Sequence, residues 1–454
     1  MWNPFREQPR RAALLMLTLV GVCLASVVPA AEAPAHGRSI AELLPRGQQT
    51  EGVFFAILPA QPDDGWDAIR LPKLAEALLP SEGEAAEETR FTVTTHWAKA
   101  DETQSFQCVW QRSSRGLPSE LRLPDSARTL NIPANTILLL SRSRASASRT
   151  RAEFDCSIIV PDRKVERELV LAHFGLSPGD ALSGLFGIHS PWSPRAPPLR
   201  STALRSFLDR FDGIAAKQFV PTFRSGSTGI GYTFEMLLDI PENNSPMGDF
   251  LGMEIKTHRG RDLDSLSTKK MNLFLKEPVW TDGLAHRERI PKYGYVDGNG
   301  RVALYSTVTS RQNSHGLKLS VNQDDERLDL QFRNQHVAFW TRETLQSRLQ
   351  EKLTETVFIG ATTRGRGREE EFHYQTVLYC EQPSVDALLQ LITSRDVMLE
   401  MRMHIREDGS ARNHGSAFRI RLDQLPKLFG RTVLMRSVDA DDARSEEVPQ
   451  HRSR

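Results

Sequence analysis

Cysteine is scarce: four thiols, at positions 23, 108, 156 and 380, serve 454 residues. Loss of a leader up to residue 30 would leave an odd three with no short spacing between them, so neither a disulfide framework nor a thiolate metal site is available. Charge of one sign is equally lacking. Lys plus Arg number 58 against 57 Asp plus Glu, a formal net charge of +1. That balance excludes a globally basic nucleic-acid coat, and any surface for a polyanion has to be local. Long apolar runs are missing too, apart from residues 12–28, which fall short of the roughly 20 residues of a spanning helix. This run follows Arg6, Arg10 and Arg11 and ends at the small residues around Val28, Pro29 and Ala30, so residues 1–30 read as a secretory signal peptide. An exported protein is one reading of it. A chain start placed upstream of the true one, with a cytoplasmic product, is the other.

What is present suffices for a sizeable core and two or three domains: 39% of residues are hydrophobic. Within residues 31–189, apolar runs at 52–58, 90–97, 106–110, 136–141 and 154–160 are separated by turn-rich spacers. They predict a separate, mainly β amino-terminal domain with a helix over 71–79. Residues 190–201, SPWSPRAPPLRS, read as a Pro/Ser-rich linker to a second unit over 202–438 with a core of its own. Residues 439–454 form a charged tail without apolar periodicity.

An acid followed two residues later by lysine occurs at two places, Asp162 with Lys164 and Glu254 with Lys256. The first follows Pro161 and reads as the end of a strand over 158–160, in a solvated loop. The second lies in an extended stretch predicted over 250–257, after the turn chemistry of Asn243, Asn244, Ser245 and Pro246. Alternation along a strand puts Glu254 and Lys256 on one face and Ile255 in the core. With Asp249 just ahead, two hard oxygen ligands could hold Mg2+ while the ammonium of Lys256 orients or deprotonates a water. A helical turn over 232–238 offers Phe234, Leu237 and Leu238 for burial and sets Glu235 opposite them. Spacing alone fits an amphipathic strand with a surface ion pair equally well.

The words around these residues narrow the choice. FRSGSTGIGYTFEMLLDIPENNSPMGDFLGMEIKTHR (223–259), MNLFLKEPVW (271–280), YSTVTSRQNSHGLKLSV (305–321) and RNHGSAFRI (412–420) together resemble the MvaI/BcnI restriction endonucleases, relatives of the MutH nicking enzyme in the PD-(D/E)XK superfamily. The resemblance spans about 201–430. It implies an α/β fold, with a restriction-endonuclease-like core of a central mixed sheet flanked by helices. It also implies Asp249 and Glu254 as ligands of Mg2+, Lys256 as the catalytic lysine and Glu235 as a further active-site acid. The activity implied is type II cleavage of double-stranded DNA by a monomer, at a short site of the CC-N-GG kind, with a DNA methyltransferase as functional counterpart. One departure is Gly248, where the superfamily carries proline before the aspartate.

For DNA contact the sequence offers Lys269 with Lys270, and the series Arg402, Arg406, Arg412, Arg419 and Arg421. Arg412, His414 and Arg419 carry donors that suit guanine edges; a turn histidine and a surface strand arginine are the plainer alternative. Arg364, Arg366 and Arg368 face their own Glu369, Glu370 and Glu371 and are the weakest candidates. Residues 119–160 bear a distant resemblance to the amino-terminal DNA-sensing domain of EcoRII-type enzymes, against the plainer reading of a protein-contact module. Two other functions remain open, a MutH-like nicking enzyme and an exported or catalytically silent DNA-binding protein. Clustered acids favour catalysis over mere binding, because they repel a polyanion that a binder would need to attract.

Overall fold

Period-two burial shapes the N-terminal half, and it works on both faces of each strand. Val53 and Phe55 point into one core while Phe54 and Ala56 point into another, and Ile137 and Leu139 alternate with Leu138 and Leu140 in the same way. The computed structural model describes residue 43 and residues 50–58, 68–71, 73–79, 90–99, 102–112, 119–127, 132–143, 152–173, 183–186, 202–240, 248–260 and 269–437. The leader, the Pro/Ser linker, the turn at 243–246 and the charged tail lie outside the described residues.

The first half supplies strands β1 (Thr50–Ile57), β2 (Ala68–Leu71), β3 (Arg90–Lys99), β4 (Glu102–Gln111), β5 (Ser119–Arg122), β6 (Ile137–Ser143) and β7 (Ala152–Ile159), helix α1 (Lys164–His173) and β8 (Ser183–Phe186). Next come α2 (Thr202–Ala215), β9 (Val220–Pro221), α3 (Gly229–Leu237) and β10 (Glu254–Arg259). Then follow β11 (Lys270–Leu275), β12 (Val279–Trp280), α4 (His286–Tyr293), β13 (Tyr295–Val296), β14 (Val302–Val308), β15 (Leu317–Asn322), β16 (Arg327–Phe332) and β17 (Gln335–Thr341). The chain continues through α5 (Arg342–Leu353), β18 (Glu355–Arg364), β19 (Glu371–Pro383), α6 (Val385–Thr393), β20 (Val397–Ile405), β21 (Ala411–Asn413), β22 (Ala417–Arg421) and β23 (Phe429–Ser437). The five N-terminal runs read from the sequence are β1, β3, β4, β6 and β7. The helix expected over 71–79 is instead a 3-10 turn, Lys73–Leu78, because Pro72 and Pro80 leave too little room for an α-helix.

The mixed α/β class is as expected, but the boundary between two separate domains is not where the sheet breaks. One 13-stranded sheet runs in the order β10-β18-β19-β23-β8-β1-β6-β7-β3-β4-β5-β2, with β9 beside β19. β8 is the joint: it pairs with β1 on one side and with β23 on the other. A single core cluster accordingly joins Val53, Phe55, Ile137 and Ile159 to Phe207 and Phe211 of α2, Phe234 of α3 and Ile255 of β10. Two smaller sheets, β11-β22-β20-β14-β13 with β21 and β12-β17-β16-β15, complete the C-terminal half over a further core that also holds α5 and α6. Cys108, Cys156 and Cys380 are free and buried, and burial pushes all three thiols up. They act as packing groups. Among the described residues no helix is long and apolar enough to cross a membrane.

Candidate active site

Among the described strands β10 lies at the edge of its sheet, and it is entered through a two-residue turn. Phe250 and Met253 exchange backbone hydrogen bonds of 2.9 Å in both directions, with Leu251 at φ 51° and Gly252 at φ 90°. The strand expected over 250–257 therefore begins at Glu254, and the turn ahead of it folds Asp249 back alongside. Asp249 Oδ2 accepts the Ile255 amide at 3.0 Å. Gly248 has a steric cause, since a Cβ there would lie 2.3 Å from the Gly252 carbonyl oxygen. A proline would collide.

Along β10 the alternation is as read from the sequence. Ile255 is buried in the core, while Lys256 Nζ donates to Glu254 Oε1 at 2.9 Å on the other face. The remaining oxygen of Glu254, Oε2, is buried and has no hydrogen-bond partner among the described residues. A second ammonium approaches it: Lys352 Nζ, from the last turn of α5, is 3.7 Å away. Burial raises the Asp249 carboxyl, and the neighbouring Glu254 charge raises it further; the Ile255 amide, Lys256 and Lys352 oppose them. Two close carboxylates, one with an unsatisfied oxygen, form a donor set suited to Mg2+, which typically takes one or two protein carboxylates and fills its other positions with water and phosphate.

Glu235 comes from the other side. It is half-buried on α3, and the Gly231 position that its Oε1 approaches also faces the Thr257 hydroxyl, which lies across β10 from Glu254 and Lys256. Its charge helps to raise the phenol of Tyr374, after burial and along with Glu370. Among the described residues no group of three or more His, Cys, Asp or Glu side chains converges on a metal position. The structure thus brings Asp249, Glu254 and Lys256 together and sets Glu235 behind the strand.

Beside this centre opens a cleft of about 630 Å³ between β10 and the sheet of β11, β20 and β22. Among the described residues lining it, Lys256, Arg259, Lys269, Lys270, Arg402 and Arg419 are cationic and Glu400 is the one acid. For a chain of net charge +1 this is a local basic footprint. Not all of these cations are equally available. Arg259 makes a bidentate pair with Glu370 at 2.7 and 2.9 Å, and Arg419 is bound by Glu400 and donates to the Lys270 carbonyl at 2.9 Å. Lys269 donates to the Arg259 carbonyl at 3.1 Å, and Lys270 is exposed.

His258, on the Lys256 face of β10, also lines the cleft. Burial, with the charge of Lys269, lowers its imidazole to about 4, against a hydrogen bond to the Gly260 backbone; Nδ1 has no partner. That low value favours the neutral ring near pH 7.

Arg412 and His414 stand together at the end of the same sheet. Arg412 Nε donates to His414 Nε2 at 3.3 Å, and His414 stacks on His404, whose Nδ1 meets the Tyr305 hydroxyl at 2.8 Å. Slight burial and then the charges of Arg412, His404, Arg402 and Arg406 hold His414 below the usual histidine range. Arg402 connects this group to the cleft by donating to the carbonyls of His414 and Gly415. Arg364 is held by Glu371 and lies 4.1 Å over the Phe219 ring. Asp162 and Lys164 are exposed at the end of β7. The sequence reading missed His258 and Arg259, which continue the alternation past Lys256 and could have been found by extending it. It missed Lys352 too, for which no local signal exists.

Residues 208–429 match the sequence model of the MvaI/BcnI restriction endonuclease family. Among solved structures, the complex of restriction endonuclease MvaI with cognate DNA substrate is 26% identical, covering 51% of this chain and 98% of that one, with a TM-score of 0.45. MvaI in the absence of DNA is 23% identical over 52% of this chain and 98% of that one, with a TM-score of 0.34. No curated protein matches.

Proposed function

We propose that this chain, whose residues 208–429 carry the MvaI/BcnI restriction endonuclease match, is a Mg2+-dependent, type II endonuclease that hydrolyses phosphodiester bonds of double-stranded DNA. The observation that carries this reading is the single hairpin on which Asp249, Glu254 and Lys256 meet, at the margin of a cleft rich in Lys and Arg. Asp249 and Glu254 would hold the metal, which when bound supplies positive charge to the phosphate oxygens. Lys256, steadied on Glu254 Oε1, would orient the attacking water and take its proton. Lys269, Lys270 and Arg402 would take phosphates and keep the duplex in register.

In this reading the C-terminal half is a PD-(D/E)XK core acting as a monomer on a short CC-N-GG-like site, and Glu235 supports the centre from behind β10. Arg412 and His414 read guanine edges. Arg419 joins them only by exchanging Glu400 for a base, because its guanidinium is already engaged. A DNA methyltransferase is the functional counterpart. The test is incubation of supercoiled plasmid with purified protein, with Mg2+ or with excess chelator. Linear product that requires Mg2+ is expected; equal cutting in chelator would sink the proposal, and a product that stops at the open circle would mark a nicking enzyme.

A further inference from the structure

The second ammonium at the centre is delivered by topology. β18 runs parallel to β10 with Thr356 opposite Glu254, and α5 ends just before β18 begins. Leu345, Leu349 and Leu353 anchor α5 in the core at helical spacing, so its last turn has a fixed position over Glu254. Lys352 lies in that turn, and its Nζ, 3.7 Å from Oε2, is too far for a hydrogen bond and close enough for charge attraction. The arrangement is therefore symmetrical in charge and asymmetrical in bonding. Lys256 is hydrogen-bonded to Oε1, whereas Oε2 is buried, without a hydrogen-bond partner among the described residues, and approached by the Lys352 charge.

We propose that Lys352 is a positioning residue that holds the place of the divalent cation in the DNA-free protein and gives it up when a phosphate arrives. The proposal rests on the metal-dependent reading above. A unit positive charge within about 4 Å of a ligand oxygen opposes a dication at the same position. A phosphate of the duplex offers the ammonium another partner, so that DNA and metal favour each other's binding, reciprocally. Free protein then binds metal weakly, and the complete centre forms on DNA.

The experiment is a titration of full-length protein with Mn2+, free Mn2+ being read by electron paramagnetic resonance, with and without a short DNA duplex. Lys352→Met keeps the apolar stem and removes the charge. It is expected to bind Mn2+ about tenfold more tightly than wild type without DNA, and to lose most of the tightening that DNA gives the wild type. Lys352→Arg keeps the charge and should behave as wild type; Lys352→Gln provides a second neutral variant should Lys352→Met fold poorly. A merely structural lysine predicts the opposite, weaker Mn2+ binding in both neutral variants, and that result or an unchanged affinity overturns the proposal. Glu254→Gln separates this from the underlying reading: retention of Mn2+ by that variant overturns the metal assignment itself, and the role of Lys352 with it.

Discussion

At the scale of single residues, the proposed centre rests on Asp249 lying close to Glu254 and on one oxygen of Glu254 left without a hydrogen bond. Removing either carboxylate should abolish cleavage while leaving metal-free duplex binding within a few fold, because the proposed phosphate contacts lie on Lys269, Lys270 and Arg402. A cleavage assay beside a fluorescence-anisotropy titration checks this for Asp249→Ala and Glu254→Ala, and near wild-type cutting by either would refute the assignment. His258 gives a second prediction, in pH. Its folded-state value lies below the unfolded one, at about 4 against 6.5, so protonation favours the unfolded chain. The stability this neutral ring contributes is present above pH 6.5 and lost as pH falls through about 4, a loss of roughly 3 kcal/mol for a buried group. His258→Gln should flatten the acid limb of a stability profile measured by denaturant unfolding between pH 7 and pH 4. An identical slope in the variant would show that the imidazole is not held neutral.

At the scale of elements, the turn before β10 stores strain where the chemistry needs a tight reversal. Leu251 is 74% exposed with φ 51°, a conformation unfavourable for a branched residue. Leu251→Gly should raise stability by about 0.5–1 kcal/mol, read as a shift in denaturation midpoint; a fall of similar size would mean that the leucine side chain stabilises the turn more than its backbone strains it. This turn also marks the limit of what the sequence could tell. Alternation placed Glu254, Ile255 and Lys256 on their correct faces because strand geometry is local. The same pattern overran the strand start by four residues, since Phe250 and Met253 look like strand residues and the reversal lies in a leucine and a glycine between them. Lys352 was invisible for a different reason: it reaches Glu254 through the pairing of β10 with β18, and register between distant strands is not written in either segment. Glu235 was legible as a helix acid, but the side of β10 it occupies depends on how α3 packs.

At the scale of the whole molecule, β8 makes the two halves one structure. A fragment of residues 202–438 would lose β8, one of the two strand partners of β23, and expose the core surface covered by Val53, Phe55, Ile137, Leu139 and Ile159. Burying side chains of this size contributes about 1.5–3 kcal/mol each, against a total stability of about 5–15 kcal/mol for a domain. The fragment is therefore expected to be insoluble or to lack a cooperative melting transition in calorimetry. A soluble fragment melting near the full-length temperature would restore the linker as a true domain boundary.

The parallel pairing of β10 with β18 also fixes when the centre can exist during folding. Parallel neighbours need a long crossover, here everything from β11 to α5, and the loop-closure entropy of that span must be met before Lys352 can face Glu254. The centre should thus be completed late. In refolding experiments, far-UV ellipticity should recover before Mg2+-dependent cutting of duplex DNA added at timed intervals, and simultaneous recovery would contradict this order. On the proposed endonuclease reading, a nascent or partly unfolded chain would then be unable to cut, so that the high contact order of one strand pair separates synthesis in time from activity.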